Sequence, residues 1–368
     1  MSMVEWKKLD LLLDFEQPTP YLVKSTEYDD SYNIPVLTAG QSLLLGYTNE
    51  TKGIYNASKE NPTIIFDDFT TSFHWIDFEF KVKSSAMKML RPKKNVNFRY
   101  VYYSMCGINF VPGGHQRHWI SKYSQFEIPI PSLSEQTRIV EILDTFTSSI
   151  ENLKEQIALR RKQYEHYRDQ LLDLEGKEGV ETKTLGEICD TLSGFPFDSS
   201  QFSETGIRLM RGMNIKRGYF DFSEENNKYW NSSEGLEKYL LEPNDIVISM
   251  DGSLVGRSFC YLKSEHLPLL LVQRVARIRT KENFKYIYFI ISKRFPDYVD
   301  KKKTAGAIPH ISMKDINGFK IPLPSKVEQQ RIVSILDTFE ASLANLEAQL
   351  KEREKQYEYY RNKLLTFE

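Results

Sequence analysis

Two stretches of the chain carry apolar residues at alternating intervals of four and three, the spacing of a coiled-coil seam. In the first stretch the seam runs through Ile139, Leu143, Phe146, Ile150, Leu153, Ile157, Tyr164, Tyr167 and Leu171; in the second it runs through Ile332, Leu336, Phe339, Leu343, Leu346, Leu350, Tyr357, Tyr360 and Leu364. The two match at a constant offset of 193, from Glu135-Gln136-x-Arg138-Ile139-Val140 against Glu328-Gln329-x-Arg331-Ile332-Val333 to Lys162-Gln163-Tyr164-Glu165 against Lys355-Gln356-Tyr357-Glu358. The pattern therefore predicts a tandem repeat with one long helix per copy. Each helix is preceded by Pro-x-Pro (Pro129 and Pro131; Pro322 and Pro324) and opens with a capping-box spacing, Ser132 to Glu135 and Ser325 to Glu328. One seam position is polar in both copies, Arg160 and Arg353. It reads either as a stem packed on the seam with its charge in water or as a device that fixes register or a partner.

Elsewhere the patterns are short and mixed. Strands are predicted at Thr63–Phe66, at Phe78–Lys83 and at Ile246–Ser249, and a helix over Asn283–Phe295 whose aromatics read as core. The segments ahead of the two helices are loosely related. Val4-Glu5-Trp6-Lys7-Lys8-Leu9 parallels Val180 to Leu185, Asn97 to Tyr103 parallels Asn283 to Phe289, and Ile64 to Asp68 lines up with Val247 to Asp251. This gives an α+β class with four parts: a globule at 1–131, a helical spacer at 132–175, a second globule at 176–324 and a second spacer at 325–368. The linker is Glu175-Gly176-Lys177-Glu178-Gly179.

Composition narrows the class. At 368 residues there is room for two or three domains with proper cores, and 49 Lys and Arg against 50 Asp and Glu exclude a globally basic protein. Cys106, Cys189 and Cys260 are too few and too scattered for a disulfide framework or a metal knuckle, which points to a reducing cytoplasm. Residues 1–14 lack a signal-peptide core and no apolar run is long enough to span a bilayer, so no membrane partner is expected.

Charge is uneven locally. Between Glu79 and Glu127 there is no acidic residue, yet Lys81, Lys83, Lys88, Arg91, Lys93, Lys94, Arg99, Arg117 and Lys122 all fall there. Phosphate neutralisation is the favoured explanation and a solvated face the alternative. A weaker basic run covers Arg274, Arg277, Arg279, Lys281 and Lys285, then Lys293, Arg294 and Lys301 to Lys303. Beside these runs lie glycine-bearing polar loops at Gly113–His118, Asp251–Arg257 and Gly306–His310, of the kind that carry side chains to base edges or merely turn the chain. Catalytic patterns are weak. Asp67 or Asp68 with Glu79 and Lys81 mimics a metal-dependent nuclease set, Asn61-Pro62-Thr63-Ile64 falls short of an amino-methyltransferase motif, and the six histidines have no ligand spacing. Asp144 and Asp337 recur on the helices, where surface or partner contacts are the plainer role. No active site is expected.

If the helices pair antiparallel, about 40 residues at a rise near 1.5 Å would separate the globules by on the order of 60 Å. Two basic heads on such a spacer could read two short sequences across an unread gap. The chain resembles the specificity subunits of type I restriction-modification systems. The likeness rests on Ile128-Pro-Ile-Pro-Ser-Leu-Ser-Glu-Gln136 and Ile321-Pro-Leu-Pro-Ser-Lys-Val-Glu-Gln329, each followed by Arg-Ile-Val-x-Ile-Leu-Asp, and on Ser193–Phe197, Arg211–Lys216, Ser249–Ser253 and Ala307–Ser312. It implies two target-recognition domains that read an asymmetric, bipartite site in double-stranded DNA, with the helical regions setting the gap. It further implies docking of two methyltransferase subunits and of restriction subunits, which would hold the S-adenosylmethionine, ATP and Mg, so that this chain has no cofactor or catalytic residue of its own. The second helix is expected to run to Glu368, and no contact from a longer tail is expected.

On this resemblance the expected DNA contacts are Lys83, Ser84, Ser85, Lys88, Lys93, His115, Gln116, Arg117 and His118 in the first globule, and Arg211, Asn214, Lys216, Ser253, Arg257, Gln273, Arg274 and His310 in the second. The expected partner contacts are Glu135, Gln136 and Arg138 with Glu328, Gln329 and Arg331, capping being the other role for the two glutamates. Two other readings stay open: a nuclease using Asp68, Glu79 and Lys81, and a coiled-coil adaptor without DNA affinity.

Overall fold

The computed structural model describes residues 4–38, 40, 42–114, 116–302 and 309–367. His115, the Gly306-Ala307-Ile308 part of the third candidate loop, and Lys303 lie outside the described residues. The chain divides into two compact units, Met1–Gln156 with Leu346–Glu368, and Ile157–Asn345. Neither boundary falls between a globule and a helix: each unit contains one globule and segments of both long helices.

The first unit begins with β1 (Glu5–Lys8), a single turn α1 (Leu9–Leu12) and β2 (Leu13–Glu16), followed by β3 (Ile34–Leu37) and β4 (Leu44–Thr48). Then come β5 (Thr63–Asp67), β6 (Phe73–Ile76), β7 (Lys81–Val82), β8 (Met87–Pro92), α2 (Phe98–Met105), β9 (Glu127–Ile130) and the long α3 (Leu133–Leu171). The strands form a ribbon β1-β9, a four-stranded sheet β2-β8-β5-β6 and a three-stranded sheet β4-β3-β7 in which β3 and β7 are parallel. Ile64, Phe66, Leu90, Val101, Trp119 and Tyr123 are buried between the four-stranded sheet and α2, while Leu37, Ile65, Phe80, Val82 and Met89 pack on its other side. The continuous apolar run of β5 is thus explained: both its faces are covered.

The second unit repeats the order with β10 (Glu181–Thr184), α4 (Leu185–Ile188), β11 (Cys189–Ser193), β12 (Ile207–Met210), β13 (Tyr229–Trp230) and β14 (Ile246–Ser249). It continues through β15 (Phe259–Tyr261), β16 (Leu269–Leu271), β17 (Val275–Thr280), α5 (Phe284–Lys302), a short α6 (Met313–Asn317), β18 (Lys320–Leu323) and the long α7 (Lys326–Leu365). Its sheets, β10-β18, β11-β17-β14-β15 and β13-β12-β16, have the same topology strand for strand, again with one parallel pair, β12 and β16. The helix of this head runs past Phe295 and through Pro296 to Lys302, longer than its apolar pattern predicts.

The ladders also correct the alignment of the two heads. The last pair between the central strands is Asp67 with Met87 in one head and Ser249 with Val275 in the other. One step further, Asp68 N donates to Ala86 O and Met250 N to Arg274 O. Asp68 therefore corresponds to Met250, and Asp251 stands one residue farther along. The strand expected at Phe78–Lys83 shortens to Lys81–Val82, and its alternation fails because Lys81 is buried beside Phe80 and Val82. Its ammonium is satisfied by the carbonyls of Lys52 and Gly53, at 2.6 and 3.0 Å, and by Glu50 at 3.2 Å.

Candidate nucleic-acid interface

Each long helix is rooted in the head ahead of it by one set of bonds, made twice. Gln136 and Gln329 are buried; each accepts a hydrogen bond from the backbone N–H that opens the head's own helix (Asn97, 3.0 Å; Asn283, 3.1 Å). Each also donates to the proline carbonyl just upstream, Pro131 at 2.8 Å and Pro324 at 3.0 Å. The Tyr100 and Tyr286 hydroxyls close the root by donating to Pro129 and Pro322 carbonyls. Asp144 accepts from Arg99 at 2.8 Å and from Tyr103, and Asp337 accepts from Lys285 at 2.6 Å. The recurring glutamines and aspartates are accounted for inside the chain: Gln136 and Gln329 have no surface for a partner, and both aspartates face the head's helix. Glu135 and Glu328 instead reach forward to Arg138 and Arg331 in two-pronged pairs of 2.6 to 2.8 Å, which hold both carboxyls below their usual range. The capping box is consequently half-formed. Ser132 and Ser325 accept from the N–H groups of Glu135 and Glu328 at 3.3 Å, while the glutamate side chains turn outward.

Within each unit the two helix segments run antiparallel. In the first, Phe146 stacks on Tyr360 and Lys154 pairs with Glu354; in the second, Phe339 stacks on Tyr167 and the Tyr164 hydroxyl donates to Glu340. The polar seam residues have an account here. Arg353 lies 5.7 Å over the Phe146 ring and Arg160 5.7 Å over Phe339, the same cation–π contact in both units.

In the first head three loops meet around Asp68. Its carboxylate takes Lys88 at 3.1 Å and the Trp119 N–H at 2.8 Å, its carbonyl accepts the His118 N–H, and its own N–H donates to Ala86. The turn after β5, the loop from Lys83 to Ala86 and the end of the loop at 111–118 are thereby joined. Lys83, Ser85, Gln116 and Arg117 are exposed on them, and Ser84 accepts from the Ala86 N–H at 3.1 Å. Lys88 and His118 are buried, so neither can touch DNA from this position; Lys88 sits 4.9 Å over the Phe15 ring and His118 edge-on to Phe110. Lys93 is turned back onto the Asp10 carbonyl at 2.6 Å and Asp14 at 3.4 Å.

The acid-free run of cations is corrected in the same way. Lys81, Lys88, Arg91, Lys93 and Arg99 pair with Glu50, Asp68, Glu16, Asp14 and Asp144 respectively. Their partners come from elsewhere in the chain, so the local excess of charge is largely neutralised by folding, and Lys83, Lys94, Arg117 and Lys122 are the exposed cations of the run without a carboxylate partner among the described residues. Asp68, in the turn after β5, and Lys81, in β7 of the other sheet, belong to different ion pairs, while Glu79 is exposed. They do not assemble into the nuclease set.

In the second head the conspicuous motifs converge on one turn, residues 272–274. Gly194 lies so close to it that a Cβ there would stand 2.2 Å from the Val272 carbonyl oxygen. The Phe195 N–H donates to Leu271 O, and Phe195 O accepts from Gln273 N at 2.8 Å. On the other side Met210 O accepts from Val272 N, and Gly212 is packed against Ser249 and the Arg274 carbonyl. The turn displays Gln273 and Arg274, both exposed. Arg274 Nη1 reaches Asp251 at 3.5 Å and His310 Nδ1 at 3.2 Å, and His310 and Asp251 bond to each other.

The other expected contacts divide. Asn214 is buried and serves the fold, donating to the Asp221 and Asn226 carbonyls and accepting from Arg211 N. Arg211 stacks on Phe202, Lys216 faces Asp221 at 3.6 Å, Arg257 grips Asp300 with two bonds of 2.6 and 3.1 Å, and Ser253 is exposed. Of the weaker basic run, Arg277, Arg279, Lys285, Lys293 and Arg294 are paired with carboxylates. Arg217 was not singled out from the sequence; it is exposed at the rim of a cleft of about 360 Å³ shared with Arg257, Phe259 and Tyr288. Its only signal was the Arg-Gly step at 217–218.

A family model described as the type I restriction modification DNA specificity domain matches the chain twice, at residues 3–160 and 177–354. The type I restriction enzyme EcoR124I/EcoR124II specificity subunit of Escherichia coli is 43% identical, over 99% of this chain and 94% of the relative. A putative type I restriction enzyme specificity subunit of Haemophilus influenzae is 29% identical, over 100% and 96%. Among solved structures, the S subunit of a type I restriction-modification system from M. genitalium superposes with a TM-score of 0.66 at 17% identity, covering 100% of this chain and 98% of its own. A chain of a type I R-M system, solved for its complex assembly and conformational transition, gives 0.58 at 16% identity over 99% and 97%. The fold is theirs, and the sequence carries the assignment further: this chain belongs to the family of type I restriction-modification DNA specificity subunits.

Proposed function

We propose that each head reads one half of an asymmetric, bipartite site in double-stranded DNA and that the paired helices set the gap between the halves. One observation carries the reading: two heads of the same topology present different residue types at corresponding tips. The loop before β8 offers Lys83, Ser84 and Ser85, whereas the turn before β17 offers Gln273 and Arg274. A duplicated scaffold with divergent tips suits two different short sequences, because phosphate contacts position a protein and base-edge contacts specify the sequence.

In this reading the chain is non-catalytic. Two methyltransferase subunits and the restriction subunits dock on it, in the cytoplasm, and bring the S-adenosylmethionine, ATP and Mg. The equivalent exposed pairs Glu135–Arg138 and Glu328–Arg331 are candidate places for the two methyltransferases, one per helix root. The three free cysteines and, among the described residues, the lack of a helix long and apolar enough to cross a membrane fit that setting.

The test is the methylome of a host expressing the chain with its methyltransferase, beside one expressing the methyltransferase alone. Modified adenines in a two-part motif of constant gap, seen only with both chains, support the reading. Soluble, associated chains that produce no such motif overturn it.

A further inference from the structure

We infer that Arg274 is a base-reading residue of the second head, that it reads a guanine, and that Asp251 and His310 position it. The inference rests on the specificity reading above and names its chemistry at one position.

The turn at 272–274 is built to be rigid. It is held from one side by Gly194 and Phe195 and from the other by Met210 and Gly212. At its end Arg274 adopts φ of 68°, the left-handed region that a side-chain-bearing residue enters only at a cost. Glycine would fit there without strain, so the fold alone gives no reason for arginine. The guanidinium is 60% exposed. It is not buried by its acidic neighbour, as Lys88 is, nor gripped by two bonds, as Arg257 is. It makes one 3.5 Å approach to the Asp251 carboxylate from Nη1; His310 Nδ1, 3.2 Å from Nη1, gives its proton to that same carboxylate, so it holds Asp251 in place rather than accepting from Arg274. Among the described residues no group of the chain bonds Nη2 or Nε, the forked pair of donors that matches the O6 and N7 acceptors of guanine in the major groove.

Asp251 and His310 act through Arg274 rather than on DNA. Their mutual bond and the backbone bonds Gly252 N to Pro309 O and Ile311 N to Met250 O fasten the two loops on which they stand. The corresponding position in the first head, by ladder register, is Ala86, which is buried and has no side chain that could do this. The first head therefore reads its half-site with other residues, and the two halves differ in the base specified at this place.

The experiment is methylome sequencing of hosts expressing the methyltransferase with wild-type chain, Arg274→Gly, Arg274→Lys or Asp251→Asn. Glycine relieves the positive φ, so Arg274→Gly should melt at or above the wild-type temperature, and misfolding cannot imitate the expected result. That result is a motif with one half and the gap unchanged and a single G·C position of the other half degenerate, its discrimination down by about 10- to 100-fold. Arg274→Lys keeps the charge but not the fork, and should relax the same position while leaving the salt dependence of DNA affinity unchanged. Asp251→Asn should relax that position alone, to a smaller extent.

An unchanged motif with Arg274→Gly would overturn the inference. So would Arg274→Lys behaving as wild type while Arg274→Gly lowers methylation at all sequences alike, the signature of a phosphate contact. Asp251→Asn that leaves the position fully specified would remove its positioning role. If the wild-type chain itself yields no two-part motif, the specificity reading fails and not this inference alone.

Discussion

Replacing Lys88 by methionine separates a phosphate contact from an internal ion pair. The ammonium stands 3.1 Å from Asp68, and both side chains are 1% exposed. Methionine has a similar length and no charge, so Lys88→Met strands the Asp68 carboxylate in the core with only the Trp119 N–H to satisfy it. Breaking one partner of a buried pair costs roughly 3–5 kcal/mol, most of it for the charge left behind. Asp68→Asn alone strands the cation and should cost a similar amount. The double replacement removes both charges while an amide oxygen can still accept from Trp119, and it should recover most of the loss. Urea unfolding followed by tryptophan fluorescence reads this directly, because Trp119 is buried beside the pair. The parallel assay is the salt dependence of DNA affinity of the assembled complex, where each neutralised phosphate contributes a slope of about 0.9. Lys88→Met should leave that slope unchanged. A variant of near wild-type stability with a slope flattened by about one, and no rescue in the double mutant, would refute the reasoning and return Lys88 to the DNA surface.

Further predictions concern the scaffold. Gln136→Ala removes two hydrogen bonds at its helix root and Gln329→Ala removes three, the third to Glu282 at 3.0 Å; each should destabilise its unit by about 1–3 kcal/mol in chemical denaturation, Gln329→Ala by the larger amount. Arg160→Ala and Arg353→Ala should each cost about 0.5–1 kcal/mol from the lost contact with Phe339 or Phe146, and their double mutant should be additive because the contacts lie in separate units. Burial alone would raise the Glu50 carboxyl, but the Ser25 and Lys24 N–H groups and Lys81 outweigh it and hold it below its ordinary 4.5. A depressed carboxyl stabilises the fold above the unfolded value and loses that contribution as pH falls through the folded one. Glu50→Gln should thus be less stable than wild type at pH 7, with the gap closing below about pH 4.5 in unfolding measured across pH.

Much of the scaffold was readable because its signals are local or repeated. The four-and-three spacing, the serines ahead of Glu135 and Glu328 and the constant offset specify two helices of 39 and 40 residues almost to their ends. The apolar runs at Thr63 and Ile246 give the central strands. What the sequence hides is pairing across distance. The acid-free run looked like a phosphate surface because Glu16, Asp14, Glu50, Asp68 and Asp144, which neutralise most of its charge, lie outside it, at separations that only the folded sheets close. Gln136 and Gln329 looked like partner contacts because a residue kept for a buried hydrogen bond and one kept for an interface leave the same mark in a repeat. Conversely, Ser193–Phe197, Arg211–Lys216 and Ser249–Ser253 gave no hint, taken singly, that they frame one turn, since their convergence depends on the parallel pairing of β12 with β16.

The central claim is that the two heads read separate halves of one site, and it is tested most directly by methylome sequencing with the tip of a single head altered. Gln116→Ala with Arg117→Ala changes only exposed side chains of the first head. The account predicts that the wild-type chain directs methylation to a two-part motif with a fixed gap, and that the variant relaxes positions in one half while the gap and the other half stay intact. Changes in both halves, or a motif that is not two-part, would contradict it.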